Sequence, residues 1–226
     1  MTANRRHDSL RRMTAAFVLF GDVVRSRADA PAATAWLREL IEELERVYPP
    51  GERPAPFAFT QGDELQGLLS IDADPFAAIL RATLHERAFP MRWVIVAGSV
   101  EPGRGPATER TGPAFLDARR LLEAGRTRRD GLRVHVGDPR SDDLLAELAP
   151  LLAELLADLT ERQRMIARLM LVEGVRQSDV AERLGVSRAT ISVMAERARI
   201  RRIEGLLGVL RRIVTDGVAA ADGNRA

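Results

Sequence analysis

The segment Gln177 to Ala198, QSDVAERLGVSRATISVMAERA, constrains the fold more tightly than any other part of the chain. Val180, Ala181 and Leu184 recur at spacings of one, three and four, which places them on one side of a helix, and Ala181 is small enough for a second helix to cross close by. Gly185 supplies the positive φ that the residue after a helix often needs, and Val186 follows as a plug between two helices. Ser187 is a natural N-cap, and Ile191 and Met194, four and seven residues beyond it, point inward. The pattern is that of a helix-turn-helix. Its outward residues, Arg188, Ala189, Thr190, Ser192 and Val193, with Gln177 and Ser187, are those expected to approach double-stranded DNA. The second helix would lie in the major groove, and Arg188 is the side chain best suited to a guanine edge or a phosphate. A plain helical hairpin is the competing reading, although its exposed face would ordinarily be rich in Glu.

At 226 residues and 46% hydrophobic content, the chain can form one large or two small domains around a packed core. No apolar run approaches the roughly 18 residues of a membrane span, and the N-terminal sequence lacks the apolar segment of a signal peptide. A cytoplasmic protein is therefore expected. The absence of cysteine excludes disulfides and thiolate metal sites. All 34 basic residues are arginine, and the formal charge of +2 conceals an asymmetry. Residues 160–226 carry 13 Arg against 8 acids, whereas residues 1–159 carry 21 against 24, so the basic half is the half with the helix-turn-helix.

The first 13 residues, with Arg5, Arg6, Arg11 and Arg12, read as a flexible basic arm. Ala15 to Gly21 is a short apolar run ended by glycine, a buried strand with Asp22 at its exit. Pro31 to Tyr48 has helical periodicity and stops at Pro49, Pro50 and Gly51. Phe57–Thr60 and Leu65–Ser70 form a hairpin about a Gly-Asp loop, Pro75 to about Ala88 a helix, and Met91–Gly98 a central strand apolar on both faces. Pro113–Ala124 is a further helix and Leu132–Val136 a last strand. This order fits a ferredoxin-like plan with one helix and one strand added, an α/β domain over residues 14–137 with a mixed sheet. Residues 138–159 read as a leucine-rich helical connector interrupted at Pro150, with Leu144, Leu148, Leu151, Leu152, Leu155 and Leu159 on one side. An all-α helix-turn-helix domain over 160–214 follows, opened by a capping box at Thr160 and Gln163. Residues 215–226 read as a frayed tail.

Asp22 at a strand exit and Asp63 with Glu64 at a hairpin tip are acids that neighbouring strands can bring together, the arrangement that holds Mg²⁺ against phosphates. Local capping by the same residues is the alternative. The segments GDVVRSR (Gly21–Arg27), FTQGDELQGLL (Phe59–Leu69), MRWVIVAGSV (Met91–Val100) and GPAFLDARRLLEA (Gly112–Ala124) together resemble the SatD family of bacterial proteins. More distantly they are similar to the palm-like domain of class III nucleotide cyclases and GGDEF diguanylate cyclases. That resemblance implies metal binding by Asp22 and Asp63, with Glu64 at the GGDEF glutamate, and phosphate contacts by Arg119 and Arg120. The sequence departs from the cyclases at telling positions. If Arg120 is the transition-state arginine, the asparagine expected four residues earlier is Leu116; no lysine is present; and the GGDEF signature is reduced to QGDEL. These losses favour a sensing or dimerisation domain with a possible nucleotide ligand over an active cyclase.

The block LTERQRMIARLMLVEGVRQSDVAERLGVSRATIS (residues 159–192) resembles sigma-70 region 4 and LuxR helix-turn-helix units in layout, which implies DNA binding through Gln177, Ser187, Arg188, Thr190 and Ser192. The leading expectation is a DNA-binding regulator acting as a homodimer, since one helix-turn-helix buries little surface by itself. A Mg²⁺-dependent nucleotide enzyme regulated by that unit is the alternative.

Overall fold

The computed structural model describes residues 13–24, 29–60, 63–128 and 131–223. Five strands form one mixed sheet in the order β2-β3-β1-β4-β5: β1 (Thr14–Val23), β2 (Ala55–Phe59), β3 (Glu64–Ser70), β4 (Met91–Val100) and β5 (Leu132–His135). The central β1 is antiparallel to both β3 and β4, β2 is antiparallel to β3, and β5 is parallel to β4. The α/β reading with a mixed sheet therefore stands, and a wholly helical region follows it in the chain. β1 does not stop at Gly21. It continues through Asp22 to Val23, and glycine leaves room there for the Met91 and Trp93 side chains, since a Cβ would lie 2.6 Å from Met91 Cε and 3.0 Å from the Trp93 ring.

Alternating side chains give the sheet two different faces. Ala16, Val18, Phe20, Leu68, Val94 and Val96 point to one face and pack under α3 (Pro113–Arg128) through Ala114, Phe115, Ala118 and Leu122. Phe17, Leu19, Trp93 and Ile95 point to the other. There they meet α1 (Ala30–Val47), which buries Trp36, Leu37, Leu40 and Leu44, and α2 (Phe76–Thr83). α2 ends before Ala88 because the chain turns at Leu84; the Arg87 N–H is then taken by His85 Nδ1 (3.2 Å) and the Ala88 N–H by the His85 carbonyl (3.2 Å).

The leucine-rich segment is a single helix, α4 (Pro139–Ala157), unbroken at Pro150. Proline inside a helix costs roughly 3 kcal/mol, but each buried leucine returns about 1.5–3 kcal/mol, and α4 buries Leu145, Leu152 and Leu156 with Ala149. The buried stripe is thus not the predicted one: Leu144 and Leu151 are exposed, at 53% and 47%. The tail read as frayed from Thr215 is also helical. α8 (Ile200–Gly223) continues to Gly223 and buries Val214, Gly217 and Ala221, because glycine at 217 lets it press onto Val136 and Ser141. The basic arm lies outside the described residues except for Met13.

Between α4 and α8 come α5 (Glu161–Ala167), a π-helical turn (Arg168–Val172), α6 (Gln177–Arg183) and α7 (Arg188–Arg197). One continuous apolar core runs from Phe17 and Leu19 of the sheet through Leu152 and Leu156 to Ile166, Val180, Ala181, Ile191 and Ile203. The helix-turn-helix is therefore packed onto the α/β layer. Ion pairs add to this contact: Glu43 of α1 receives Arg168 of the π-turn (2.8 Å), and Arg211 of α8 reaches Asp74 (2.6 Å).

Candidate nucleic-acid interface

Thr160 and Gln163 form the reciprocal capping box that opens α5. The connection from α6 to α7 is built as its residue types require. Gly185 sits at φ +63°, the Val186 N–H returns to the Ala181 carbonyl (3.0 Å), and the Ser187 hydroxyl accepts from the Thr190 N–H (3.0 Å). Thr190 Oγ1 lies 2.8 Å from Ser187 Oγ, so both hydroxyls are held at the N-terminus of α7. Val180, Ala181, Ile191 and Ala195 are buried between the helices, and Leu184, Val186 and Met194 are half-buried against them. Packing thus fixes one face of α7.

The opposite face is open. Ser187, Arg188, Ala189, Thr190, Ser192 and Val193 are all exposed, whereas Gln177, at the first position of α6, is half-buried. Arg188 pairs with no acidic group among the described residues, and α7 has no acid in its first turn to oppose an anion at its positive end. Sequence reasoning passed over the run Arg197, Arg199, Arg201 and Arg202, four exposed arginines in six residues from the end of α7 into α8. Its density was the available signal. Arg199 adopts φ +54°, which turns the chain there, and lies 3.9 Å from Asp158. Among the described residues the other three pair with no acid.

The acidic residues at the sheet end have a different setting. Asp22 and Glu64 are opposed in the β1–β3 ladder, Arg92 is opposed to Asp22 across β1–β4, and the three share the α3 face. Both carboxylates are 5% exposed. Arg92 donates to Asp22 (3.0 Å), while Glu64 accepts from Arg119 of α3 (2.5 Å) and from Gln66 (2.7 Å). Arg119 also lies over the Phe20 ring at 4.9 Å. The two buried carboxylates are thus matched by two guanidinium groups, and the four charges sum to zero. A divalent ion would have to displace Arg92 and Arg119 to use both carboxylates. Asp63, half-buried at the head of β3, accepts the Val23 N–H through its carbonyl (3.1 Å). Among the described residues no three His, Asp or Glu side chains gather as a metal cluster. Arg120 is exposed and paired with Asp117 on its own helix, away from these groups, and Leu116 is 66% exposed. Gln61 and Gly62 of the hairpin lie outside the described residues.

Residues 149–209 match the family model KORA, described as TrfB plasmid transcriptional repressor. The match covers about a quarter of the chain, from the last turns of α4 into α8, and contains the whole α5–α7 unit. No curated protein and no solved structure matches the chain. No helix among the described residues is long and apolar enough to cross a membrane.

Proposed function

We propose that this protein is a DNA-binding transcriptional regulator that reads duplex DNA with α7. The observation that carries the reading is the exposed N-terminal face of α7, with Arg188 unopposed by any acid among the described residues, inside the segment similar to a plasmid repressor family. Helix-turn-helix proteins place this part of their second helix in the major groove. Ser187 and Thr190 offer hydroxyls to phosphate, and Arg188 offers a bidentate donor to guanine. The protein acts as a homodimer in the cytoplasm. Leu144, Leu148, Leu151 and Leu155 follow the heptad spacing of a helix–helix seam and remain exposed or half-exposed on α4, which supports that pairing. The α/β half is its sensing or dimerisation domain, of SatD and palm-like descent.

The test is binding to a duplex selected from a random library, measured by fluorescence anisotropy across a salt series. Wild type should bind with a steep salt dependence, and Arg188→Ala should weaken binding by about 1–3 kcal/mol. Equal affinity of the two proteins at every salt concentration would refute the reading.

A second reading, a Mg²⁺-dependent nucleotide enzyme using Asp22, Asp63 and Glu64, draws on the register that sets Asp22 opposite Glu64. It requires Arg92 and Arg119 to release those carboxylates. Turnover of ATP or GTP with Mg²⁺ that vanishes in Asp63→Asn would favour it, and no turnover under those conditions would remove it.

A further inference from the structure

A cleft of about 470 Å³ opens where α4 and α5 meet the end of the sheet, with no residue of α7 in its wall. That volume lies within the range of small-molecule sites, roughly 300–1,000 Å³. Its walls are mainly apolar: Ile79 of α2, Phe89 and Met91 at the entry to β4, and Ala153 and Leu156 of α4. Thr83, Trp93, Glu154 and Arg164 are the lining residues that carry polar side-chain groups. The guanidinium of Arg164, on α5, makes no hydrogen bond or ion pair among the described residues, and its Nε is buried without a partner. The indole N–H of Trp93, a residue 3% exposed, is also buried without a partner. A guanidinium left unmatched beside apolar walls is a poor arrangement for a closed core, since buried polar groups in native proteins are ordinarily satisfied. It is a good arrangement for capturing an acid whose carbon skeleton fills the apolar part.

We propose that this junction cleft binds a small apolar monocarboxylate, with Arg164 as its counter-ion. Guanidinium presents paired N–H donors that match a carboxylate. Glu154 lines the same cleft, Arg164 is the one cation among its described lining residues, and a second acidic group on the ligand would meet Glu154. The site sits between the α/β layer and the helix that leads into the helix-turn-helix. Any influence of the ligand on DNA affinity rests on the DNA-binding reading, whereas the binding site itself does not.

The chain contains two tryptophans, Trp36 and Trp93, and both are buried. Full-length protein labelled with 5-fluorotryptophan, its signals assigned with Trp36→Phe, is titrated with octanoate and with the neutral octanamide. The proposal predicts that octanoate moves the Trp93 resonance and leaves Trp36 unmoved, with at least tenfold tighter binding than octanamide. Arg164→Gln should abolish that preference. Ala157→Phe, at an exposed position on the cleft wall, should block octanoate while leaving the unfolding midpoint unchanged. No movement of Trp93, equal affinity for the two probes, or a preference that survives Arg164→Gln would overturn the proposal. Because the readout needs no DNA, its failure is distinguishable from a failure of the DNA-binding reading.

Discussion

His85 shows how a single side chain links the two halves of the molecule. It stands edge-on to Trp36 at 6.4 Å, its Nδ1 accepts the Arg87 N–H, and its Nε2 is 3.8 Å from Glu39. Burial lowers its pKa below 6.5, and the nearby Arg168 of the π-turn lowers it further. Glu39 and Glu43 oppose the shift but do not reverse it. The unfolded chain therefore takes up the proton first as pH falls, so His85 withdraws stability below about pH 6.5 and none above it. Between pH 7.5 and 5.5 the urea midpoint of wild type should fall by more than that of His85→Gln. Parallel pH profiles would show that His85 is not held neutral. The sequence alone did not single out His85, because its environment is assembled from α1 and from the π-turn more than 80 residues later.

At the scale of elements, much of the structure was legible because local patterns dominate there. The turn at Gly185, the cap at Ser187 and the box at Thr160 and Gln163 each depend on residues within a few positions of one another, and each forms as read. What failed depended on long-range packing. Pro150 looked like a break, yet burial of three leucines keeps α4 whole, and the buried stripe is rotated from the one chosen by counting leucines. The acids at the sheet end were recognised as neighbours, but their partners Arg92 and Arg119 come from β4 and α3, and periodicity does not report such pairings. The end of α8 was misread for the same reason. Its glycines provide a controlled test: a Cβ at Gly205 meets nothing within 4 Å, whereas one at Gly217 would lie 2.5 Å from Val136 Cγ2. Glycine to alanine in an open helix adds about 0.8–1 kcal/mol of stability, and overpacking costs roughly 1–3 kcal/mol. Gly205→Ala should therefore raise the unfolding midpoint and Gly217→Ala lower it. A rise in both would mean that the end of α8 is not docked.

For the whole molecule, the continuous core means that the helix-turn-helix is presented from a fixed platform. Two such platforms paired through α4 would offer two copies of α7 to a symmetric site, one helical turn of about 34–36 Å apart or a multiple of it. Leu144→Glu combined with Leu151→Glu should convert the dimer to a monomer in sedimentation equilibrium, with little change in helix content, because both side chains are exposed in the single chain. A wild-type protein that is already monomeric would contradict that pairing. The central claim, that α7 reads base sequence, is tested most directly by the base-preference profile of wild type and Arg188→Ala on one library of duplexes. The account predicts that Arg188→Ala relaxes selectivity at one position of each half-site by about 1–3 kcal/mol and leaves the other positions as they were. Identical profiles for the two proteins would contradict it.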